Sequence, residues 1–188
     1  METVIKNSLA SHLQAFKQLE GSQEKIKEIS KLFASSLRNN GKIIFMGNGG
    51  SAADAEHLAA ELVGRFKKNR KAYAAISLSS NICIITAIGN DYGFDEIFSR
   101  QVEALAKTGD VIVAISTSGE SQNVIKGVAR AKQLGLKTVG FLGKSGGKLK
   151  GLVDISLLIP TEDTPRIQEM HILAGHIICE IVEEELSR

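Results

Sequence analysis

His57 and Glu61 stand four residues apart in a stretch of alanine and leucine, so on a helix both project from one face. An imidazole and a carboxylate placed this way can move a proton between them and a ligand, or supply two ligands to a divalent metal. Directly upstream, Gly47-Asn48-Gly49-Gly50-Ser51 joins an apolar run to that helix. A turn of such small residues leaves backbone N–H groups free at the positive end of the helix dipole, which suits an anion such as phosphate. Arg65, one further turn along, extends the same face toward a phosphate or a sugar hydroxyl. The combination points to a phosphorylated small molecule held beside an acid/base or metal pair.

A second small-residue turn, Ser116-Thr117-Ser118-Gly119-Glu120-Ser121, follows the most apolar strand and opens another helix. Its hydroxyls and N–H groups can replace the hydration of a phosphate without a formal charge. As a lone motif it reads equally well as a helix cap with spare serines; paired with the first turn it favours phosphate. The final helix offers Gln168, His171 and His176. At about 100° per residue, Gln168 and His176 lie roughly 80° apart and His171 roughly 60° to the other side, so either histidine can join Gln168 in a site. Asp91, in the turn Gly89-Asn90-Asp91-Tyr92-Gly93, is placed to bind substrate hydroxyls. Gly47 to Ala52 also satisfies G-x-G-x-x-A, but the acidic residue that a dinucleotide needs about twenty residues on is replaced by Lys67-Lys68-Asn69-Arg70-Lys71. That basic run reads as a solvated loop, and residues 143–150 as a mobile surface loop that misses the nucleotide P-loop spacing.

The elements that must position these groups are legible as periodicity. Residues 3–20 and 26–37 repeat apolar positions at helical spacing, giving two amphipathic helices that pack on an edge of the domain or against another subunit. From residue 42 onward short apolar strands, 43–46, 72–78, 111–116, 138–142 and 155–159, alternate with helical stretches 52–66, 81–88, 94–106 and 121–134. A last helix from Pro165 to residue 186 is apolar most of the way round, as if buried against a partner. The pattern predicts an α/β fold, a doubly wound five-stranded parallel sheet of flavodoxin-like order, with ligands at the carboxyl ends of the strands. At 188 residues and 43% hydrophobic, one domain over residues 1–188 accommodates everything: a helical extension to residue 40, then the α/β core and final helix. A net charge of +2 and 5% aromatics give no nucleic-acid surface, and no apolar run of about twenty residues predicts a membrane span. Cys83 and Cys179 lie in apolar runs and read as buried thiols of a cytoplasmic protein.

Four ordered stretches, Gly47 to His57, Gly89 to Phe94, Ser116 to Gly119 and Arg166 to His171, resemble the phosphoheptose isomerase (sedoheptulose 7-phosphate isomerase) family of the SIS-domain group. The resemblance covers nearly the whole chain. It implies a homotetramer converting sedoheptulose 7-phosphate to D-glycero-D-manno-heptose 7-phosphate, the first step of heptose synthesis for bacterial lipopolysaccharide or capsule. Carried over by position, it implies that Asn48, Gly49, Gly50, Ser51, Ser116, Thr117, Ser118 and Ser121 hold the phosphate end, and that Arg65, Asn90 and Asp91 contact substrate. It selects His176 over His171, groups His57, Glu61, Gln168 and His176 around a zinc ion, and gives proton transfer through an enediol to Glu61 as base and His176 as acid. SIS domains also act as non-catalytic binding modules, including a partner of the bacterial replication initiator. The four-residue polar set favours the enzyme, because a binding module needs no proton-transfer pair.

Overall fold

In the computed structural model, which describes residues 1–187, five parallel strands stand in the order β2-β1-β3-β4-β5. They are β1 Ile43–Gly47, β2 Ala75–Ser77, β3 Val111–Ser116, β4 Lys137–Gly143 and β5 Ile155–Ile159. β1 and β3 are buried at every position, which is why they read as continuous apolar runs and not as alternation. Phe45, Val113, Phe141 and Leu157 point to one face, where α1 Glu2–Glu20, α2 Gln23–Arg38, α3 Gly50–Val63 and α8 Thr164–Leu186 cover them. Ile44, Met46, Ile112 and Leu142 point to the other, under α4 Ile82–Tyr92, α5 Ser99–Leu105, α6 Gln122–Gln133 and α7 Gly147–Leu152. The expected doubly wound architecture is thus present.

β1 pairs with β2 on one side and β3 on the other, Phe45 lying opposite both Ser77 and Val113. The winding therefore reverses beside β1, and the loops leaving β1 and β3 diverge to opposite faces and open a crevice. No described helix is long and apolar enough to cross a membrane.

Several local expectations need correction. α3 stops at Val63, with the Gly64 N–H on the Ala60 carbonyl, so Arg65 does not extend the helix face and is exposed. β2 is shorter than its apolar run, because the Tyr73 amide bonds the Leu62 carbonyl and the ring turns into the core beneath Arg70, 4.0 Å from the guanidinium. Asn90 and Asp91 occupy the last turn of α4, which Gly93 ends with φ of 94°, instead of a free turn. Residues 143–150 are not a mobile loop. Gly146 turns the chain into α7, Leu149 is buried, and the Lys148 and Leu149 amides bond Glu120 Oε1 and the Gly119 carbonyl. In the basic run Lys67, Lys68, Asn69 and Lys71 are exposed as a solvated loop should be, but Arg70 turns inward onto the buried carboxylate of Glu183, which also accepts from the Lys67 and Lys68 amides. Cys179 is buried and Cys83 is exposed, on the first turn of α4 away from the core.

Candidate functional site

The first anion turn is built by backbone. Gly49 takes φ of 54°, a conformation that disfavours side chains, and the Ser51 and Ala52 amides turn back onto the Asn48 and Gly49 carbonyls. A glycine N-cap brings no side-chain acceptor, so ahead of these two bonded amides the start of α3 carries no side-chain cap and its positive end opens on the crevice. The second turn is held by its own hydroxyls. Ser116 Oγ accepts from the Gly119 amide at 3.1 Å and lies 3.3 Å from Ser121 Oγ, while Ser118 Oγ accepts from the Glu120 amide. Gly119, at φ of 69°, passes so close to the Gly146 carbonyl that any Cβ would overlap it. The two turns are joined by a reciprocal amide pair: Asn48 and Asn123 each donate Nδ2–H to the other's Oδ1 at 2.9 Å.

The second part of the site lies where α3 meets α8. Gly50 receives the Gln168 side chain, and Gly175 receives Leu58, so a missing Cβ at each contact lets the helices approach closely. His57 and His176 then face each other with Nε2 atoms 2.9 Å apart, and Glu61 Oε1 lies 3.2 Å from His57 Nε2. One ligand atom from each of the three falls within 4.8 Å of the others. Burial and the neighbouring His57 lower the His176 pKa against the opposing pull of Glu61. Two imidazoles and a carboxyl group, half open to solvent at His57, form a donor set that fits a divalent metal. Phe66 closes one side, its ring centroid 5.5 Å from that of His176.

The geometry places His176, and not His171, beside His57. His171 is fully buried against Phe141 with both ring nitrogens unpartnered, and burial pushes its pKa down to about 4. Gln168 lies against Gly50, at the anion-turn end of α3. Asn48, Ser51, Ser116, Thr117, Ser118 and Ser121 flank the crevice, whereas Asn90 and Asp91 are exposed and bond each other, and Arg65 is exposed past the end of α3. Sequence reasoning missed Asn123 and Asp54. Asn123 follows Ser121 by two residues and is buried, but an amide on a helix carries no signal of its partner. Asp54 precedes His57 by three positions on the same helical face, a spacing that identifies it. Its Oδ2 is buried without a partner, and burial raises its pKa to about 6 against the effect of His57.

Comparison with known proteins adds an independent line. The SIS-domain family model matches residues 7–143. A phosphoheptose isomerase of Helicobacter pylori (strain ATCC 700392 / 26695) is 50% identical over 100% of this chain and 98% of its own. One from Aliarcobacter butzleri (strain RM4018) is 52% identical over 98% of this chain and 97% of its own. Among solved structures, a phosphoheptose isomerase of Neisseria gonorrhoeae is similar at a TM-score of 0.93 and 40% identity, covering 97% of this chain and 98% of that one. One from Francisella tularensis gives 0.94 at 35% identity, with 97% of each chain covered.

Proposed function

The chain belongs to the SIS-domain family and within it to the phosphoheptose isomerases, enzymes that isomerise a sugar phosphate, and we propose that its substrate is sedoheptulose 7-phosphate and its product D-glycero-D-manno-heptose 7-phosphate. The observation that carries the reading is the convergence of His57, Glu61 and His176 about two to three helical turns along α3 from the anion turn. The turns at Gly49 to Ser51 and Ser116 to Ser121 hold the phosphate, with Asn48 and Thr117 on nearby hydroxyls. Gln168 lies between phosphate and reacting carbons. Arg65, Asn90 and Asp91 reach substrate only from positions outside this crevice, which fits a site completed by a neighbouring subunit.

In the reaction, Glu61 takes a proton from C1 and the electron pair forms the C1=C2 bond. The C2 carbonyl oxygen meanwhile takes a proton from His176. In the second half the O1 hydroxyl gives its proton to His176 and C2 recovers a proton from Glu61, leaving an aldehyde at C1 with no net change in composition. Glu61 turns Oε1 toward His57 and leaves its other oxygen for the carbon-bound proton. His57, Glu61, His176 and the Gln168 carbonyl oxygen are the groups that would hold zinc, which when bound polarises the substrate oxygens as a Lewis acid.

A homotetramer accounts for the apolar surface left on α1. Val4, Ile5, Leu9 and Leu13 are exposed, and a groove of about 390 Å³ opens between Phe16, Ile26, Ile177 and Ile181. The product would feed heptose synthesis for a bacterial surface polysaccharide. The test is incubation with sedoheptulose 7-phosphate and detection of the aldose. Glu61→Gln is expected to lower turnover by at least about 10³-fold with the circular dichroism spectrum unchanged. Near-normal turnover in that variant would remove Glu61 as the base.

A further inference from the structure

We propose that Arg70 and Glu183 form a brace that positions Glu61 and Phe66 against His176, fixing the register of α3 on α8. The proposal deepens the catalytic reading above and rests on it for the roles of Glu61 and His176.

Glu183 lies seven residues beyond His176, two turns along the same face of α8. Its carboxylate is 2% exposed and accepts four hydrogen bonds, from the amides of Phe66 at 3.1 Å, Lys67 at 2.8 Å and Lys68 at 2.8 Å and from Arg70 Nε at 3.0 Å. Burial works against its charge, but these donors together outweigh burial and hold the carboxyl below the usual range. Arg70 is equally enclosed, at 5% side-chain exposure, and stacks on the Tyr73 ring. The rest of its guanidinium points at the end of α3. Nη2 donates to the Glu61 carbonyl at 2.9 Å, and Nη1 to the carbonyls of Leu62 and Lys71 at 3.0 Å each.

The last carbonyls of a helix have no partner within it, and a cation there is favoured by the helix dipole. Here one cation caps α3 at the residue that bears the catalytic carboxylate, and the same cation is locked to the helix that bears His176. Apolar packing alone would hold α3 against α8 but would let one slide on the other. A planar fork with fixed donor directions does not. Phe66 is drawn into the same device, since its amide is held by Glu183 while its ring rests on His176. Moving Glu61 away from His176 therefore breaks the bonds from a buried guanidinium to the α3 carbonyls and leaves its donors unpaired.

Arg70→Lys separates positioning from simple support. Lysine keeps a cation facing Glu183 but cannot serve Glu183 and two α3 carbonyls at once. The expected result is a urea midpoint near that of the wild type and a kcat on sedoheptulose 7-phosphate about 10- to 100-fold lower. KM should change by less than about threefold, because the anion turns are untouched. Co²⁺ titrated into the protein and followed by its d–d absorption should bind about tenfold more weakly, reporting the cluster without need of turnover. Glu183→Gln provides a second variant, expected to lose both stability and kcat. The brace is overturned if both variants keep wild-type kcat and Co²⁺ affinity per folded molecule, so that activity falls only with the folded fraction. Should the wild type fail to isomerise the sugar phosphate, the proposed function falls and the Co²⁺ comparison still decides the brace: unchanged affinity in Arg70→Lys rejects it.

Discussion

The anion turns and the His57–Glu61–His176 cluster are neighbours on α3, yet they are made in opposite ways. The turns at the ends of β1 and β3 use backbone amides, hydroxyls and one pair of asparagines, and contain no charge apart from Glu120 at the rim. Each is closed by bonds spanning five residues or fewer. The cluster uses titratable side chains, and its short contact joins residues separated by 119 positions. On the proposed function, binding falls to polypeptide geometry and chemistry to side chains that only helix packing brings together. Damage to the first should appear in KM and damage to the second in kcat.

The largest break comes from the cluster. His176→Asn keeps a polar group of modest size on α8 but removes the imidazole proposed to move protons on and off oxygen. A fall in kcat of about 10²- to 10⁴-fold is expected, with KM changed by less than about threefold. Steady-state kinetics at saturating substrate check this. A rise in KM with kcat intact would mean that the cluster binds substrate and does not transform it, and the division between the two regions would fail.

A smaller effect is expected from the turns. Asn123→Ala removes both hydrogen bonds that tie Asn48 to α6 and leaves the half-buried Asn48 side chain without its partner. Each such bond contributes about 1 kcal/mol, so loss of the pair should raise KM by up to about 30-fold while kcat stays within about threefold. Binding of inorganic phosphate, followed by calorimetry, should weaken in step. If kcat falls instead, the amide pair serves the cluster, and the two regions are coupled through the first turn of α3.

The same difference explains what was legible in the sequence. Both turns are local, and their glycines and serines announce them because few other residues tolerate φ of 54° at Gly49 or the contact at Gly119. The sheet order also follows from local signals, since buried parallel strands are continuous apolar runs. The cluster is legible only in part: the spacing of His57 and Glu61 sets one face, but the choice between His171 and His176 depends on how α8 is rotated over α3. That rotation is set by Gly50 and Gly175, whose meaning appears only when the opposing Gln168 and Leu58 are known. Arg70 was hidden for a related reason. A basic run usually lies in solvent, and the carboxylate that pulls Arg70 inward is 113 residues away.

Asp54 tests the comparison at its boundary, because it lies on α3 between the anion turn and His57. Its pKa is raised from 3.8 to about 6 by burial, so the folded protein holds this proton more tightly than the unfolded chain does. The ionised form is therefore a burden on the fold: stability falls as pH rises through the window from about 3.8 to about 6 and is lower by a constant amount above it. The full shift corresponds to about 3 kcal/mol, but the group is only part-buried, and solvent screening reduces this to about 1 kcal/mol. Asp54→Asn should accordingly gain about 1 kcal/mol in urea unfolding at pH 7.5 and almost nothing at pH 3.5, where the wild-type carboxyl is already protonated in the fold. Such a pH-dependent gain assigns Asp54 to the charged region that begins at His57. An equal gain at both pH values would show that the burden is not the ionisation of Asp54 and would group it with the uncharged turn before it.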